Sequence, residues 1–250
     1  MKRYALLIEA ARAKGQKEIL GCERDVDRLQ TWLKNPAGGA WNDSEIKVLH
    51  NPTKAQLASE KLIINRADFA LLSFSGHGRI VENYTGHRRQ MVTIGTGEEI
   101  DFDEMKPAVP KAIIICDACR EVHRLAETRE VTFGRVAQYA KEAKQYTRQD
   151  YRDLFERKVE AAAAGTFTMY SCSPGQCAGD DPLNGGVFTD ALLNRAGDLY
   201  SNSRSTLAYE VESVFLLAKT TVTSKYPDQS PMAGPSNRSG NAFPFVVHLE

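Results

Sequence analysis

Short apolar runs, each four to six residues long, recur along the chain and have the length of β-strands. The middle runs are continuously apolar, which is typical of strands buried on both faces of a parallel sheet. Because proline lacks the N–H that a sheet ladder needs, Pro244 predicts that the last run forms an edge strand. The runs cover residues 4–8, 46–49, 69–74, 112–116, 167–170 and 243–247.

Between these runs the apolar positions follow helical spacing. In the segment 22–33 four apolar side chains share one helical face, and Pro36 follows as a stop signal. Further helices are predicted at 54–64, 152–164, 188–196 and 206–221. Strands that alternate with helices predict an α/β fold, in which helices cover both faces of a mostly parallel sheet.

The composition narrows the class of protein. Lys and Arg together number 32 and so do Asp and Glu, a balance that argues against a general nucleic-acid binder. No apolar run approaches the roughly 18 residues that a membrane helix needs, and the run after Met1 is too short for a signal peptide. We therefore expect a cytoplasmic protein with no nucleic-acid or membrane partner. Five cysteines indicate free thiols rather than a disulfide framework.

Reactive side chains stand at the ends of two predicted strands. The run 69–74 leads into S-G-H-G at 75–78, and the run 112–116 leads into D-A-C-R at 117–120. The carboxyl ends of parallel strands form the ligand crevice of an open α/β sheet, so His77 and Cys119 are predicted to meet there. A thiol beside an imidazole is an activated nucleophile, with His77 as the general base and acid. The amides of Gly78 and Cys119 are candidates for an oxyanion hole.

Other interpretations of these residues remain open. His77 between two glycines also fits a turn histidine without chemistry. Cys116 and Cys119 spell C-x-x-C, which occurs in redox dithiols and in zinc sites, with Cys172 and Cys177 as the other half. Strand alternation weakens the zinc interpretation because it points Cys116 away from Cys119.

The two motifs together resemble the caspase-like cysteine peptidases. His77 precedes Cys119 by 42 residues, and the acid two residues before the cysteine, Asp117, is similar to that of metacaspases and paracaspases, which cleave after Arg or Lys. The resemblance implies a single caspase-like domain over 1–250: a large-subunit-like part at 1–120, a linker at 121–165 and a small-subunit-like part at 166–250. It also implies a three-layer sandwich around a mostly parallel six-stranded sheet, with an edge strand at the C-terminus.

The same resemblance implies an acidic substrate pocket. Its S1 residues would be Cys22 and Asp25 in a G-C-x-x-D segment, Ser75 before the histidine, Asp117, and Asp180 at the end of the run 171–180. Carboxylates in a desolvating cleft prefer a guanidinium or ammonium partner. The expected substrates are therefore proteins or peptides with a basic P1 residue, and an acidic P1 residue would be repelled.

The chain also departs from the metacaspase pattern. Many metacaspases need calcium, but basic residues dominate the stretch 81–90 after His77 and no clear acidic cluster follows it. No metal or other cofactor is therefore predicted, with calcium dependence left as the open alternative. The linker is rich in basic residues, and we expect self-cleavage there, although an uncut charged helix is nearly as good an expectation. The candidate cleavage positions are Arg124, Arg129, Arg135, Lys141, Lys144, Arg148 and Arg152. Because Pro244 would interrupt pairing between last strands, a monomer is expected.

The sequence thus predicts a cysteine endopeptidase that cleaves after Arg, and secondarily after Lys, through a His77/Cys119 dyad. One alternative is a catalytically inactive caspase homologue that acts as a scaffold. The other is a zinc or redox dithiol protein that uses Cys116, Cys119, Cys172 and Cys177 as metal ligands or as redox-active thiols.

Overall fold

The computed structural model describes residues 1–84, 86–121, 146–205, 207–234 and 243–250. Its strands and helices, in chain order, are β1 (Arg3–Ala10), α1 (Gly21–Lys34), β2 (Ile46–His50), α2 (Lys54–Ile64), β3 (Phe69–Gly76), β4 (Gly78–Glu82), β5 (Arg88–Thr93), β6 (Glu99–Asp101), α3 (Phe102–Met105), β7 (Lys111–Ala118), α4 (Arg148–Ala161), β8 (Gly165–Tyr170), β9 (Asp180–Asp181), β10 (Gly185–Gly186), α5 (Val187–Asn202), β11 (Leu207–Glu210), α6 (Val211–Lys225), β12 (Met232–Ala233) and β13 (Pro244–His248).

A six-stranded sheet in the order β12-β8-β7-β3-β1-β2 forms the middle layer. Its strands are parallel except for β12, which pairs antiparallel with β8. The strands β3 and β7 are buried along nearly their whole length, as their continuously apolar sequences predict. The predicted α/β class, with a mostly parallel six-stranded sheet between helices, is confirmed.

Two apolar layers cover the sheet. On one face, Leu7 of β1 belongs to a core shared with helices α1, α4, α5 and α6. On the other face, its neighbour Leu6 belongs to a core shared with α2, α3 and the three-stranded sheet β4-β5-β6. This alternation follows from the two-residue period of a strand, which sends successive side chains to opposite faces.

The structure corrects two predicted elements near the C-terminus. The helix predicted at 206–221 begins only at Val211, because 207–210 form β11 and pair with β13. The run around Pro244 is not an edge of the central sheet; it forms β13 in this separate two-stranded ribbon, where Pro244 stands opposite Glu210 at a register shift. The antiparallel edge of the central sheet is instead the short strand β12. In both places, pairing between segments far apart in sequence determines the secondary structure, rather than the local sequence preference.

The segment after His77, interpreted as a charged stretch, forms the sheet β4-β5-β6. Its charged side chains pair across the strands, between β4 and its neighbour β5 and also between β4 and β6. Arg88 and Glu82 form an ion pair between β5 and β4, and Arg79 binds both carboxylate oxygens of Glu99 at 2.6 Å. These cross-strand pairs explain how a polar sequence builds a sheet.

The predicted linker is only partly described. Residues 122–145, which include five of the seven candidate cleavage positions, lie outside the described residues. The other two belong to α4, where Arg148 donates to the carbonyl oxygens of Lys34 and Trp41 and Arg152 binds Glu45. The predicted helix at 152–164 is therefore real but begins at Arg148. Within the described part of the chain, no helix has the length and apolarity to span a membrane.

Candidate active site

The two motif-bearing strands are parallel neighbours, as the sequence predicts. In their register Ser75 stands opposite Asp117 and Gly76 opposite Ala118. His77 and Cys119, each directly after its strand, therefore lie at the same edge of the sheet. Both line the same cleft. The predicted residues Cys22, Ser75, Asp117 and Asp180 line the same cleft.

Two further predicted residues lie just behind the cleft wall. Asp25 is 3% exposed and accepts a hydrogen bond from the Ser75 hydroxyl at 2.6 Å. Gly78 packs against the end of β7, where a side-chain Cβ would come within 2.9 Å of the Ala118 Cβ and 3.0 Å of the Cys119 carbonyl oxygen. A residue other than glycine at 78 would therefore push the two strand ends apart.

A backbone carbonyl orients the imidazole of His77. The Nε2 atom donates a hydrogen bond to the Lys17 carbonyl oxygen, which can only accept. In the neutral ring this leaves Nδ1 as the unprotonated acceptor nitrogen. The loop that carries Lys17 is tied to α1, because Arg12 forms ion pairs with Glu18 and Glu23. No side-chain identity could reveal this partner, since every residue has a carbonyl.

The thiol of Cys119 receives stabilising contacts from the segment after β8. The Ala178 N–H donates to the Cys119 sulphur at 3.3 Å. The side chain of Cys177 hydrogen-bonds to the same sulphur, and this contact, helped by the Ala178 N–H and opposed by burial, lowers the pKa of Cys119. A lower pKa increases the thiolate fraction, which is the nucleophilic form. From the sequence, Cys177 was interpreted only as a possible zinc ligand.

Hydrogen bonds fix the two peptide groups that contain the amides of Gly78 and Cys119, through the carbonyl oxygens of the preceding residues, His77 and Ala118. The His77 carbonyl accepts from the Thr93 N–H at 3.0 Å. The Ala118 carbonyl accepts from the Ser171 hydroxyl at 3.4 Å and the Cys172 thiol at 3.5 Å. In a planar trans peptide the N–H points opposite to the carbonyl, so each of the two amides points away from these partners.

Three carboxylates lie beneath and beside the cleft. Asp25 accepts the Gly186 N–H at 2.7 Å in addition to the Ser75 hydroxyl. Asp117 is 5% exposed and accepts both the hydroxyl of Thr189 at 2.7 Å and its N–H at 3.2 Å. Asp180 accepts the Gly21 N–H at 3.2 Å. Hereafter Asp25, Asp117 and Asp180 are called the acidic cluster.

Within the described residues, the acidic cluster lacks a counter-ion. Burial raises the pKa of Asp117, and burial together with the charge of Asp117 raises the pKa of Asp25 well above its ordinary value. Burial also raises the pKa of Asp180 to about 6. Among the described residues, no lysine or arginine forms an ion pair with any of the three. The cluster can therefore gain stability from a cation that enters the cleft.

The remaining cysteines have separate surroundings. Cys22 lies in the cleft wall, where burial and then the charge of Asp25 raise the pKa of its thiol and keep it neutral. Cys116 is fully buried in the core on the side of α2 and α3. The four cysteines of the zinc interpretation do not form a ligand set, and no group of three or more His, Cys, Asp or Glu within the described ranges is arranged to hold a metal ion.

Comparison with known proteins agrees with this geometry. The family model described as Peptidase_C14, caspase domain, matches residues 2–239. Caspase-1 from Spodoptera frugiperda superposes with a TM-score of 0.59 at 15% identity, over 99% of this chain and 89% of that chain. A protein of Geobacter sulfurreducens superposes with a TM-score of 0.63 at 16% identity, over 100% of both chains. At these identities the two structures show a shared fold. None of the curated protein sequences matches the chain significantly.

Proposed function

Because the chain belongs to the caspase-domain family of cysteine peptidases, we propose that it is an active endopeptidase that cleaves its substrates after Arg and, less efficiently, after Lys. His77 and Cys119 form the catalytic dyad in this proposal. The acidic cluster forms the S1 pocket together with Cys22 and Ser75.

The dyad works by proton exchange between thiol and imidazole. His77 takes the thiol proton at Nδ1, the nitrogen left free when Nε2 binds the Lys17 carbonyl. The Cys119 thiolate attacks the scissile carbonyl, and the amides of Gly78 and Cys119 donate to the oxyanion. His77 then protonates the leaving amine, and the thioester breaks when His77 activates a water molecule. The lowered pKa of Cys119 favours the attacking form.

One observation carries the specificity. The acidic cluster lies next to the dyad, and in the described part of the chain no Lys or Arg pairs with it. A P1 guanidinium would neutralise carboxylates that burial otherwise disfavours. A P1 aspartate would add a further negative charge to the same pocket, so it is expected to be rejected.

The test is hydrolysis of a fluorogenic peptide with P1 Arg by the wild type, Cys119→Ala and Cys116→Ala. We expect turnover by the wild type, none by Cys119→Ala, and most of the wild-type rate for Cys116→Ala. Cys116 is the matched control because it is a buried cysteine of the same motif that does not line the cleft. Loss of activity in Cys116→Ala with an intact Cys119→Ala enzyme would refute the assignment. A folded wild type without turnover would instead support the scaffold alternative.

A further inference from the structure

A buried glutamine holds the peptide that follows the proposed nucleophile. Gln90 of β5 is 6% exposed. Its Nε2 atom donates to the Cys119 carbonyl oxygen at 3.1 Å and to the Met91 carbonyl oxygen at 3.1 Å. The N–H at the other end of the Cys119–Arg120 peptide donates to the Gln176 carbonyl oxygen at 2.9 Å. This peptide is therefore fixed on both sides, on one side by Gln90.

The neighbouring arginine sets the orientation of the glutamine. The Nε atom of Arg120 donates to Gln90 Oε1 at 3.0 Å, so Nε2 must face the Cys119 carbonyl. Arg120 is itself held, since its guanidinium lies 4.1 Å from the centroid of the Tyr170 ring and donates to the Cys172 carbonyl oxygen at 3.3 Å. With Arg120 only 8% exposed, neither side chain has water as an easy substitute for these bonds.

The same glutamine lies against the other proposed oxyanion donor. A Cβ built on Gly78 would come within 2.8 Å of Gln90 Nε2 and within 3.0 Å of the Cys119 carbonyl oxygen. Gly78 of β4, Gln90 of β5 and the end of β7 therefore meet at one point. Gln90 is the side chain that joins the hairpin carrying Gly78 to the peptide that follows Cys119.

We propose that Gln90 is a positioning residue, which sets the distance between the amides of Gly78 and Cys119 by binding the Cys119 carbonyl to the β4–β5 hairpin. This inference rests on the proposed peptidase function. Oxyanion donors act only when they lie about 2.7–3.1 Å from the developing charge, so a small shift of either strand end weakens both bonds. Gln90 itself does not touch the reacting atoms.

The test compares Gln90→Glu and Gln90→Met with the wild type. Glutamate keeps an acceptor for Arg120 but replaces the donor to Cys119 and Met91, whereas methionine removes all three hydrogen bonds of the side chain without adding charge. The matched control is Glu99→Gln, which removes the charge from the bidentate pair with Arg79 in the same three-stranded sheet. Each enzyme is titrated by iodoacetamide, which reacts with the Cys119 thiolate and needs no oxyanion donor.

Both Gln90 variants should lose at least about tenfold in kcat per titrated site on the P1 Arg peptide, with KM within about twofold of the wild type. Affinity for a peptide argininal, whose hemithioacetal oxygen uses the same donors, should fall by a similar factor. The iodoacetamide rate of Cys119 and all values for Glu99→Gln should stay within about twofold.

Each other result overturns the inference. If Gln90 were only structural, the variants would show fewer titrated sites or a lower unfolding midpoint but a normal kcat per site. Equal losses in alkylation and turnover would place the defect at the dyad rather than at the donors. Wild-type inactivity on every peptide would overturn the peptidase function and this inference together, whereas an active wild type with normal Gln90 variants would overturn this inference alone.

Discussion

Two clusters of partly or fully buried charge lie at opposite ends of the central sheet and behave in opposite ways. The first, near the start of β1, contains Arg3, Glu45, Arg152 and Glu156, and is called the balanced cluster. The second is the acidic cluster at the carboxyl ends of β3 and β7. Both are made from ionisable side chains that the fold removes from water, but only one contains its own counter-ions.

The balanced cluster neutralises itself. Arg152 binds Glu45 at 2.5 Å and Glu156 at 3.0 Å, while Arg3 binds Glu45 at 3.3 Å and stacks over the Trp41 ring. Burial alone would raise the pKa of Glu45. The hydrogen bonds from Arg152 and from a backbone N–H, and the charges of both arginines, outweigh burial and lower it to about 2. This cluster therefore contributes stability at neutral pH.

In the acidic cluster, stability depends on pH in the opposite direction. Its carboxylates have raised pKa values in the folded protein, so stability is lost as pH rises through those values. In the proposed S1 pocket, a cationic P1 side chain would offset this cost. The comparison teaches that two clusters of similarly buried charge differ in whether the described residues supply their counter-ions, and the cluster without them is the one proposed to bind a cation.

The largest effect is expected at the acidic cluster itself. Asp117→Asn should lower kcat/KM for a P1 Arg peptide at least roughly a hundredfold, because it removes a charge-assisted partner worth about 3 kcal/mol in a desolvated pocket. The asparagine oxygen can still accept from Thr189, so the fold should persist. Asp27→Asn, an exposed aspartate on α1, is the control and should leave the kinetics unchanged. Normal turnover by Asp117→Asn would remove this residue from the S1 pocket.

Removal of a carboxylate from the balanced cluster tests how much this cluster contributes to stability. Glu45→Gln should lower the free energy of unfolding by about 2 kcal/mol, less than the loss of a fully buried pair, because Arg3 and Arg152 then share the single carboxylate of Glu156. Denaturant unfolding at pH 7 measures this loss, and kcat per folded enzyme should stay normal. Asp43→Asn, which breaks an exposed pair with Lys34, should leave the unfolding midpoint unchanged. A Glu45→Gln protein of normal stability would show that the two clusters do not differ as described.

A pH series distinguishes the clusters next. Because the pKa of Asp180 is raised to about 6, this carboxyl becomes neutral as pH falls through that value and no longer attracts a cation. The affinity of the competitive ligand argininamide should therefore fall roughly tenfold between pH 7 and pH 5. The Asp180→Asn variant should bind more weakly at pH 7 and show a smaller pH dependence. Equal wild-type affinity at both pH values would contradict this account of Asp180.

The smallest effect concerns the thiol beside the acidic cluster. The contact with Cys177 lowers the pKa of Cys119 and outweighs burial and the charges of Glu121 and Asp117, which raise it. In Cys177→Ala that contact is gone, so the pKa of Cys119 should rise and alkylation at pH 7 should slow by about threefold. Cys177→Ser keeps a hydrogen-bond donor and should stay closer to the wild type. Faster alkylation of the alanine variant would reverse the proposed role of Cys177.

The sequence predicted those parts of the site that depend on strand ends and side-chain identity. His77 and Cys119 come together because parallel neighbouring strands end at the same edge. The residues of the acidic cluster are predicted from the motif resemblance. Only the structure shows that, among the described residues, no Lys or Arg pairs with them. The contacts of Lys17 and Ala178 use backbone atoms, which leave no trace in the sequence.

The missed elements have a common physical cause. The sheet β4-β5-β6 is held partly by ion pairs across its strands, so its sequence is typical of a charged loop rather than of an apolar strand. The role of Gln90 depends on this sheet and was missed with it. Likewise, β11 was predicted as part of a helix because its partner β13 lies far away in the sequence.

The most direct test of the account is a P1 scan of the wild-type enzyme on otherwise identical peptides that carry Arg, Lys, Gln or Asp at P1. If the acidic cluster binds the P1 cation of the substrate, kcat/KM should be highest for Arg and lower for Lys, with little or no turnover for Gln and Asp. A preference for P1 Asp, or equal rates for Arg and Gln, would contradict the central claim that these carboxylates form a cation-binding S1 pocket.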